Sequence, residues 1–429
     1  MKIGFISLGC AKNLTDSEEI MGMLRANGHI LVDNPRMADA ILINTCGFIN
    51  PAKEESINTI FEMTRYSDKI IVLGCLAQRY EKELREEIPE ISRIIPIRDY
   101  SKLPQILEEE LEKDDQAPYL KGFRTVSGNP WSAYIKISDG CSNHCTYCAI
   151  PLIRGEQSSK LISEVRDEAK FLASRGVTEI TLIAQDTTKF GLDRSGRLEL
   201  ADLIREIDQI DGIHWIRILY MYPDEITEDV LQAMKSSRKV LPYFDIPIQH
   251  ANNRLLKKMN RRGTKEDVRT LVSRIRELFP EATLRTTCIV GFPSETQEEF
   301  EELLDFTKEI GWDRMGAFTY SKEEDTPACS MLPEVNEAEA MRRLDRLMEV
   351  QKEISGKNNF RKVGTVVEVL VEDQDALSGK YHGRSAADAP DEVDGQVIFT
   401  SDRKIEPGSY VQVRITDSSL YDLYGVYEG

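Results

Sequence analysis

Cys141, Cys145 and Cys148 stand in a C-x3-C-x2-C spacing, with Tyr147 just before the last cysteine. Thiolates are soft ligands, so this cluster points to zinc or iron–sulfur rather than to a hard cation. A closed structural zinc site takes four ligands, commonly two C-x2-C pairs or paired cysteines and histidines. Iron–sulfur clusters usually take four cysteines as well. The motif offers three. Two readings stay open on these eight residues: a zinc site completed by His144 or a distant residue, or a cubane held by three thiolates with one iron free.

The spacing with its aromatic resembles the signature of the radical S-adenosylmethionine (SAM) superfamily. That resemblance implies that SAM chelates the free iron through its amino and carboxylate groups and is cleaved reductively. The resulting deoxyadenosyl radical takes a hydrogen from an unactivated C–H. The protein's part is then to position the cofactor and exclude competing reactions.

Three more cysteines lie in the first hundred residues. Cys10 follows an apolar strand at Lys2–Leu8, Cys46 ends a second at Ala40–Asn44, and Cys75 follows a third at Lys69–Leu73. Helical stretches at Ser17–Asn27, Glu54–Tyr66 and Gln78–Glu87 alternate with them, which implies a parallel, doubly wound sheet. Ligands of such sheets bind at the carboxyl ends of strands, so these cysteines should converge despite lying about thirty residues apart. Neighbouring glycines let the backbone approach a bulky group. Taken singly, each could be a small buried cysteine; their equivalent topological positions argue for a second cluster site. Cys288 sits mid-strand among apolar residues and reads as core, and nothing is assigned to Cys329.

Composition limits the classes of function. At 429 residues the chain should hold two or three domains. An apolar share of 41% allows real cores, and 30% charged residues fit a soluble protein. No apolar run approaches membrane-spanning length, and the first residues read as a strand rather than a signal peptide. A cytoplasmic location is expected, where cysteines are more often ligands than disulfides. The net charge of −18 tilts against broad nucleic-acid binding and permits a basic partner.

Residues 112–130 read as a charged, turn-rich linker. From Trp131 six strands can be counted: Ala133–Ser138, Glu179–Gln185, His214–Tyr220, Tyr243–Ile248, Ala282–Val290 and Met315–Tyr320. Helices at Ser163–Arg175, Leu198–Gln209, Lys265–Leu278 and Gln297–Ile310 lie between them. Six β/α units cannot close the usual eight-stranded barrel, so an open partial barrel is expected, its chemistry at the carboxyl rim. On that rim Gln185, Arg217, Gln249, Ile289 and Gly291 are candidate SAM contacts, together with Tyr147 of the cysteine motif. His250 reads as structural. A charged amphipathic helix at 336–356 precedes a hinge at Gly356–Asn359. Strands at Gly364–Glu372, Glu392–Thr400 and Gly408–Asp417 then give a small antiparallel barrel. From Phe360 to Gly429 seven Lys or Arg face thirteen Asp or Glu, a local balance of −6.

Over nearly its whole length the chain resembles the methylthiotransferase family, which joins an N-terminal cysteine domain, a radical SAM partial barrel and a C-terminal TRAM domain. The motifs that carry this are Gly9-Cys10-Ala11-Lys12-Asn13 with Asp16-Ser17-Glu18, Asn44-Thr45-Cys46-Gly47-Phe48, and Gly74-Cys75-Leu76-Ala77-Gln78-Arg79-Tyr80. Gln185-Asp186-Thr187-Thr188, Phe244-Asp245-Ile246-Pro247-Ile248-Gln249-His250 and Gly383-Arg384-Ser385 resemble the ribosomal-protein branch of the family rather than the tRNA branch. Ser294 and Asp325 stand where the family pattern leads one to expect glycine. The resemblance implies domains at 1–116, 127–357 and 360–429. It also implies two 4Fe–4S clusters, one on Cys141, Cys145 and Cys148 for SAM cleavage and one on Cys10, Cys46 and Cys75 carrying the sulfur to be inserted. The implied reaction is methylthiolation of the β-carbon of an aspartate on small-subunit ribosomal protein twelve. A basic ribosomal protein is then the partner, an external donor supplies electrons, and a monomer is expected. The same chemistry on tRNA, and a cluster- or zinc-stabilised binding or sensing protein, are the competing readings.

Overall fold

The computed structural model describes residues 1–111, 124–390 and 394–429; most of the expected linker, with Asp391 and Glu392, lies outside them. The chain divides into two compact units. One gathers Met1–Gly128, Asp139–Ser158 and Ser321–Cys329, and the other gathers Asn129–Ser138, Ser159–Tyr320 and Ser330–Gly429.

In the first unit, β1 (Lys2–Ser7), β2 (Ile30–Val32), β3 (Ala40–Thr45), β4 (Ile70–Gly74) and β5 (Ile91–Pro96) form one parallel sheet in the order β2-β1-β3-β4-β5. Alternation along β3 sorts its side chains between two cores. Leu42 packs with Ile20, Met23 and Leu24 of α1 (Ala11–Ala26), whereas Ile41 and Ile43 pack with Ile60 and Met63 of α2 (Asn50–Met63). The expected doubly wound sheet is present with two more strands than the apolar runs indicated. β2 is three residues long and β5 carries Arg93 and Pro96, which suits an edge strand. The first helix starts six residues before the expected Ser17. Its opening turns are polar yet buried, including Asn13, Thr15, Asp16, Ser17 and Glu18, so no apolar period marked them.

The second unit carries six parallel strands in chain order. Ser132–Lys136, Glu179–Ile183 and Trp215–Ile218 form one sheet, and Tyr243–Asp245, Thr283–Val290 and Arg314–Thr319 form another. A parallel bridge from Ile216 of the first sheet to Val240 holds the segment that leads into Tyr243–Asp245. The helices Lys265–Leu278 and Gln297–Ile310 fall where their periodicity put them, each opened by a threonine capping box at Thr264 and Thr296.

The expected hinge at Gly356–Asn359 is not a hinge. The helix runs from Glu337 to Phe360 through those residues. Its polar end docks instead: Ser355 Oγ donates to the Leu420 carbonyl at 2.8 Å, and Asn359 is fully buried. The C-terminal barrel is closed and has five strands, in the order Val366–Gln374, Tyr381–Ser385, Val397–Thr400, Leu423–Tyr427, Tyr410–Ser418. The two strands that sequence patterning missed, Tyr381–Ser385 and Leu423–Tyr427, each carry a glycine and lack clean alternation. One pairing, Val397–Thr400 with Leu423–Tyr427, is parallel, so the barrel is not wholly antiparallel.

Candidate functional site

β1, β3 and β4 are neighbours, and their carboxyl ends lead to Cys10, Cys46 and Cys75 respectively. The strand order reverses between β1 and β3, the position where open α/β sheets bind their ligands. Gly9 closes the gap. It sits at φ +89°, and a β-carbon there would come within 2.8 Å of Cys46 Cβ and 3.1 Å of its sulfur, so only glycine lets the two loops meet.

One carboxamide ties all three loops together. Asn13, fully buried in the first turn of α1, donates from Nδ2 to the Leu8 carbonyl and to the Thr45 carbonyl, both at 3.0 Å. Its Oδ1 accepts from the Cys75 thiol at 3.4 Å. Ser56 of α2 fixes Cys46 twice, accepting from its backbone N–H at 3.0 Å and donating to its carbonyl at 2.9 Å. Cys46 and Cys75 are buried and Cys10, at the N-cap of α1, is exposed. Burial pushes the Cys46 thiol up and the Cys75 thiol to about 12, and each of the two also feels Cys10 electrostatically. The sheet topology thus brings the three thiols to the carboxyl edge of adjacent strands.

The second cysteine loop belongs to the same unit. A β-carbon on Gly140 would lie 2.2 Å from the Glu156 carbonyl oxygen, and the Cys141 N–H donates to the Gly155 carbonyl at 3.0 Å. Cys148 N–H closes a turn onto the Cys145 carbonyl at 3.0 Å. The short helix Ile150–Arg154 that follows packs Ala149 and Ile153 against Cys75. It ends in Arg154, whose guanidinium reaches Asp139, Asp16, Asn13 and the Cys75 sulfur. His144 lies 3.3 Å from Glu156 through its Nε2.

Among the described residues no group of three or more His, Cys, Asp or Glu is placed to hold a single metal ion. Two sets of three soft thiolates on glycine-shaped loops have the donor chemistry of an iron–sulfur group rather than of a single hard cation.

The second unit holds the other candidate SAM contacts, with varied placements. Gln185 and Gln249 lie half-buried at strand ends, and Ile289 is half-buried and donates its N–H to the Gln249 carbonyl at 2.8 Å. Gln249 and Tyr220, at neighbouring strand ends, have φ of 68° and 60°, in the left-handed region that non-glycine residues seldom adopt. Arg217 is fully buried: it donates to the Ala386 carbonyl at 3.0 Å, lies 3.5 Å from Glu179, and stacks over the Tyr243 ring. Gly291 abuts Ala340, where a β-carbon would come within 2.6 Å, and its N–H donates to Glu295. Tyr147, in the cysteine loop of the first unit, is half-buried. His250 is buried 3.3 Å from Glu295, a structural role.

Asn13, Asp16, Ser56, Asp139 and Arg154 were not singled out as site residues from the sequence. Asn13 and Asp16 stand in the family motifs, but the mostly polar stretch that holds them gives no local sign of what each side chain contacts. Arg154 sits six residues after Cys148 with nothing local to give it a partner.

Residues 2–96 match the uncharacterized protein family UPF0004, residues 135–307 the Radical SAM superfamily, and residues 363–427 the TRAM domain. The chain is 45% identical to the ribosomal protein uS12 methylthiotransferase RimO of Caldicellulosiruptor saccharolyticus over 439 residues, spanning 99% of both chains. The RimO of Clostridioides difficile is also 45% identical, over 99% of this chain and 98% of its own. This chain belongs to the RimO family.

Family membership brings a 4Fe–4S cluster and SAM with it, through the radical SAM segment. Ser294 and Asp325, where the family pattern leads one to expect glycine, have φ of 70° and 61°, so both keep the backbone that glycine would supply. Among solved structures, a radical SAM methyltransferase, TsrM from Kitasatospora setae, with tryptophan and a SAM analogue bound, matches with a TM-score of 0.57. That match has 13% identity over 87% of this chain and 79% of that one. The cobalamin-dependent SAM radical enzyme OxsB matches with a TM-score of 0.52 and 13% identity, over 82% of this chain and 56% of that one. These likenesses speak to fold alone. No helix among the described residues is long and apolar enough to cross a membrane.

Proposed function

We propose that this chain is a radical SAM methylthiotransferase that inserts a methylthio group at the β-carbon of an aspartate of ribosomal protein uS12. The observation that carries this reading is identity of 42–45% over nearly the full length to relatives of that name. The cysteine geometry supports it independently.

Cys141, Cys145 and Cys148 would hold the cluster that chelates SAM, and Cys10, Cys46 and Cys75 a second 4Fe–4S cluster. When bound, these groups supply one-electron cleavage of SAM and the sulfur to be inserted; a second SAM supplies the methyl. The protein's own work is positional. Asn13 holds three ligand loops at fixed separation, Ser56 locks the backbone of Cys46, and the crossing at Gly140 shapes the loop that carries Cys141. For the SAM nucleoside we retain, within the second unit, Gln185, Gln249 and Ile289; Tyr147 belongs to the cysteine loop of the first. Arg217 and Gly291 are left out, because a buried ion pair engages the first and Ala340 and Glu295 engage the second. The working division is an N-terminal domain at 1–116, a radical SAM domain at 127–357 and a TRAM domain at 360–429. An external donor is needed for the electrons.

Anaerobic reconstitution tests this. Full-length protein with iron, sulfide, SAM and a reductant should cleave SAM and add a methylthio mass to uS12. Replacing Cys141, Cys145 and Cys148 by alanine should abolish cleavage and halve the iron. Replacing Cys10, Cys46 and Cys75 should halve the iron while cleavage stays measurable. Modification of tRNA without modification of uS12 would transfer the assignment to the tRNA branch.

A further inference from the structure

Arg154 is a buried cation that the proposed reaction does not yet use. Its side chain is 2% exposed. Nη1 lies 3.0 and 2.9 Å from the two oxygens of Asp139, two residues before Cys141. Nη2 lies 2.6 Å from Asn13 Oδ1, 2.8 Å from Asp16 Oδ2, and 3.7 Å from Cys75 Sγ. The Tyr100 hydroxyl is fully buried beside the same group and is pushed well above its ordinary pKa, by burial first and then by Asp16.

A buried guanidinium carries five N–H donors as well as a charge, so one carboxylate cannot satisfy it. Here Asp139 faces Nη1, Asp16 and Asn13 face Nη2, and Nη2 also lies 3.7 Å from the sulfur of Cys75, itself proposed as a cluster ligand. Hydrogen bonds and positive charge at cluster sulfurs stabilise the reduced, more negative state and so raise the reduction potential. Low local polarity strengthens such an effect, because little water screens it.

The geometry points to Arg154 as a positioning residue that raises the reduction potential of the N-terminal cluster by donating to Cys75, with Asp16 limiting the effect as its counter-charge. This rests on the reading of Cys10, Cys46 and Cys75 as cluster ligands. It predicts opposite signs for two neighbours. Removing the guanidinium should make the cluster harder to reduce, and removing the Asp16 charge should make it easier.

The test uses the full chain carrying Cys141→Ala, Cys145→Ala and Cys148→Ala, so that only the N-terminal site can load, reconstituted anaerobically with iron and sulfide. Iron content and an EPR-monitored redox titration are measured for this parent and for Arg154→Met, Arg154→Lys and Asp16→Asn. The expected result is a midpoint shifted negative in Arg154→Met, shifted positive in Asp16→Asn, and near the parent in Arg154→Lys. If Arg154→Met fails to load, the order of the other two decides: Asp16→Asn above the parent supports the inference, and at or below it overturns it. Equal midpoints in loaded variants, or shifts of one sign in both Arg154→Met and Asp16→Asn, also overturn it. A parent that binds no iron overturns instead the reading of a second cluster, and this inference with it.

Discussion

Asn13 gives three loops one common anchor, and that makes a single carboxamide decisive for the N-terminal site. Asn13→Ala removes two buried donors from the Leu8 and Thr45 carbonyls and the acceptor of the Cys75 thiol. Each carbonyl left unsatisfied costs about 1–3 kcal/mol. The expected outcome is a folded protein whose iron falls by about half, with SAM cleavage retained; iron analysis beside a cleavage assay checks it. Cys288 is the contrasting case. It is fully buried in the strand Thr283–Val290, and burial alone raises its thiol to about 12, so it stays protonated and shielded. Cys288→Ala should leave iron content unchanged and cost about 1 kcal/mol as a small core truncation. Denaturant unfolding and iron analysis measure both, and lost cluster absorbance would count against its being core.

At the scale of elements, strand identity was legible where burial is two-sided. β3, with all six residues buried, announces itself as an apolar run, and the strand Thr283–Val290 was legible instead from its β-branched residues. The start of α1 and the end of the helix Glu337–Phe360 were not, because their polar residues are buried by tertiary partners that no local pattern encodes. The six cysteines could be found from type and spacing, but the residues that orient them could not, since Asn13 and Arg154 lie 141 positions apart. The barrel strand Tyr381–Ser385 is a similar case. It contributes Arg384, which is 3% exposed and lies 2.6 Å from Glu179 and 2.7 Å from Glu372. Burial alone would raise the Glu179 carboxyl, yet Arg384 and Arg217 hold it down to about 2. A carboxyl lowered from 4.5 stabilises fully above that value, and its contribution is lost as pH falls from about 4.5 toward 2. Acid should therefore loosen the C-terminal barrel from the six-stranded part of its unit as pH falls from about 4.5 toward 2, seen as exposure of the Trp215 environment. Arg384→Met should cost about 3–5 kcal/mol by leaving a buried carboxylate short of a partner. Glu179→Gln combined with Arg384→Met should cost less than Arg384→Met alone.

Charge is the property of the whole molecule that bears on partner choice. The chain carries −18, and its last seventy residues carry −6. Part of that local surplus is not available to a partner. Glu372 pairs with Arg384, Asp388 with Arg314 at 2.8 Å, and Asp394 lies 3.8 Å from Arg285, all within the second unit. The basic residues are reduced too: Arg384 is buried, and Lys404 is 2.7 Å from Glu406. Arg361, Lys380 and Arg403 are exposed on this segment, as are Asp373, Asp402 and Asp417. Ribosomal proteins are basic because they lie against RNA, and an acidic surface speeds their encounter through charge complementarity that salt screens. These buried pairs also fix the form of the experiment. Excising residues 360–429 would strip Arg384 of Glu179, so binding belongs to the full chain. The expectation is that full-length protein binds uS12 more tightly than tRNA, with affinity falling as salt rises. Asp373→Lys, Asp402→Lys and Asp417→Lys together should weaken uS12 binding mainly through a slower on-rate and flatten its salt dependence. Stopped-flow association across salt reads both. Unchanged on-rates in the triple variant would mean that these acids are only a solvated surface, and tighter binding to tRNA would turn the partner assignment over.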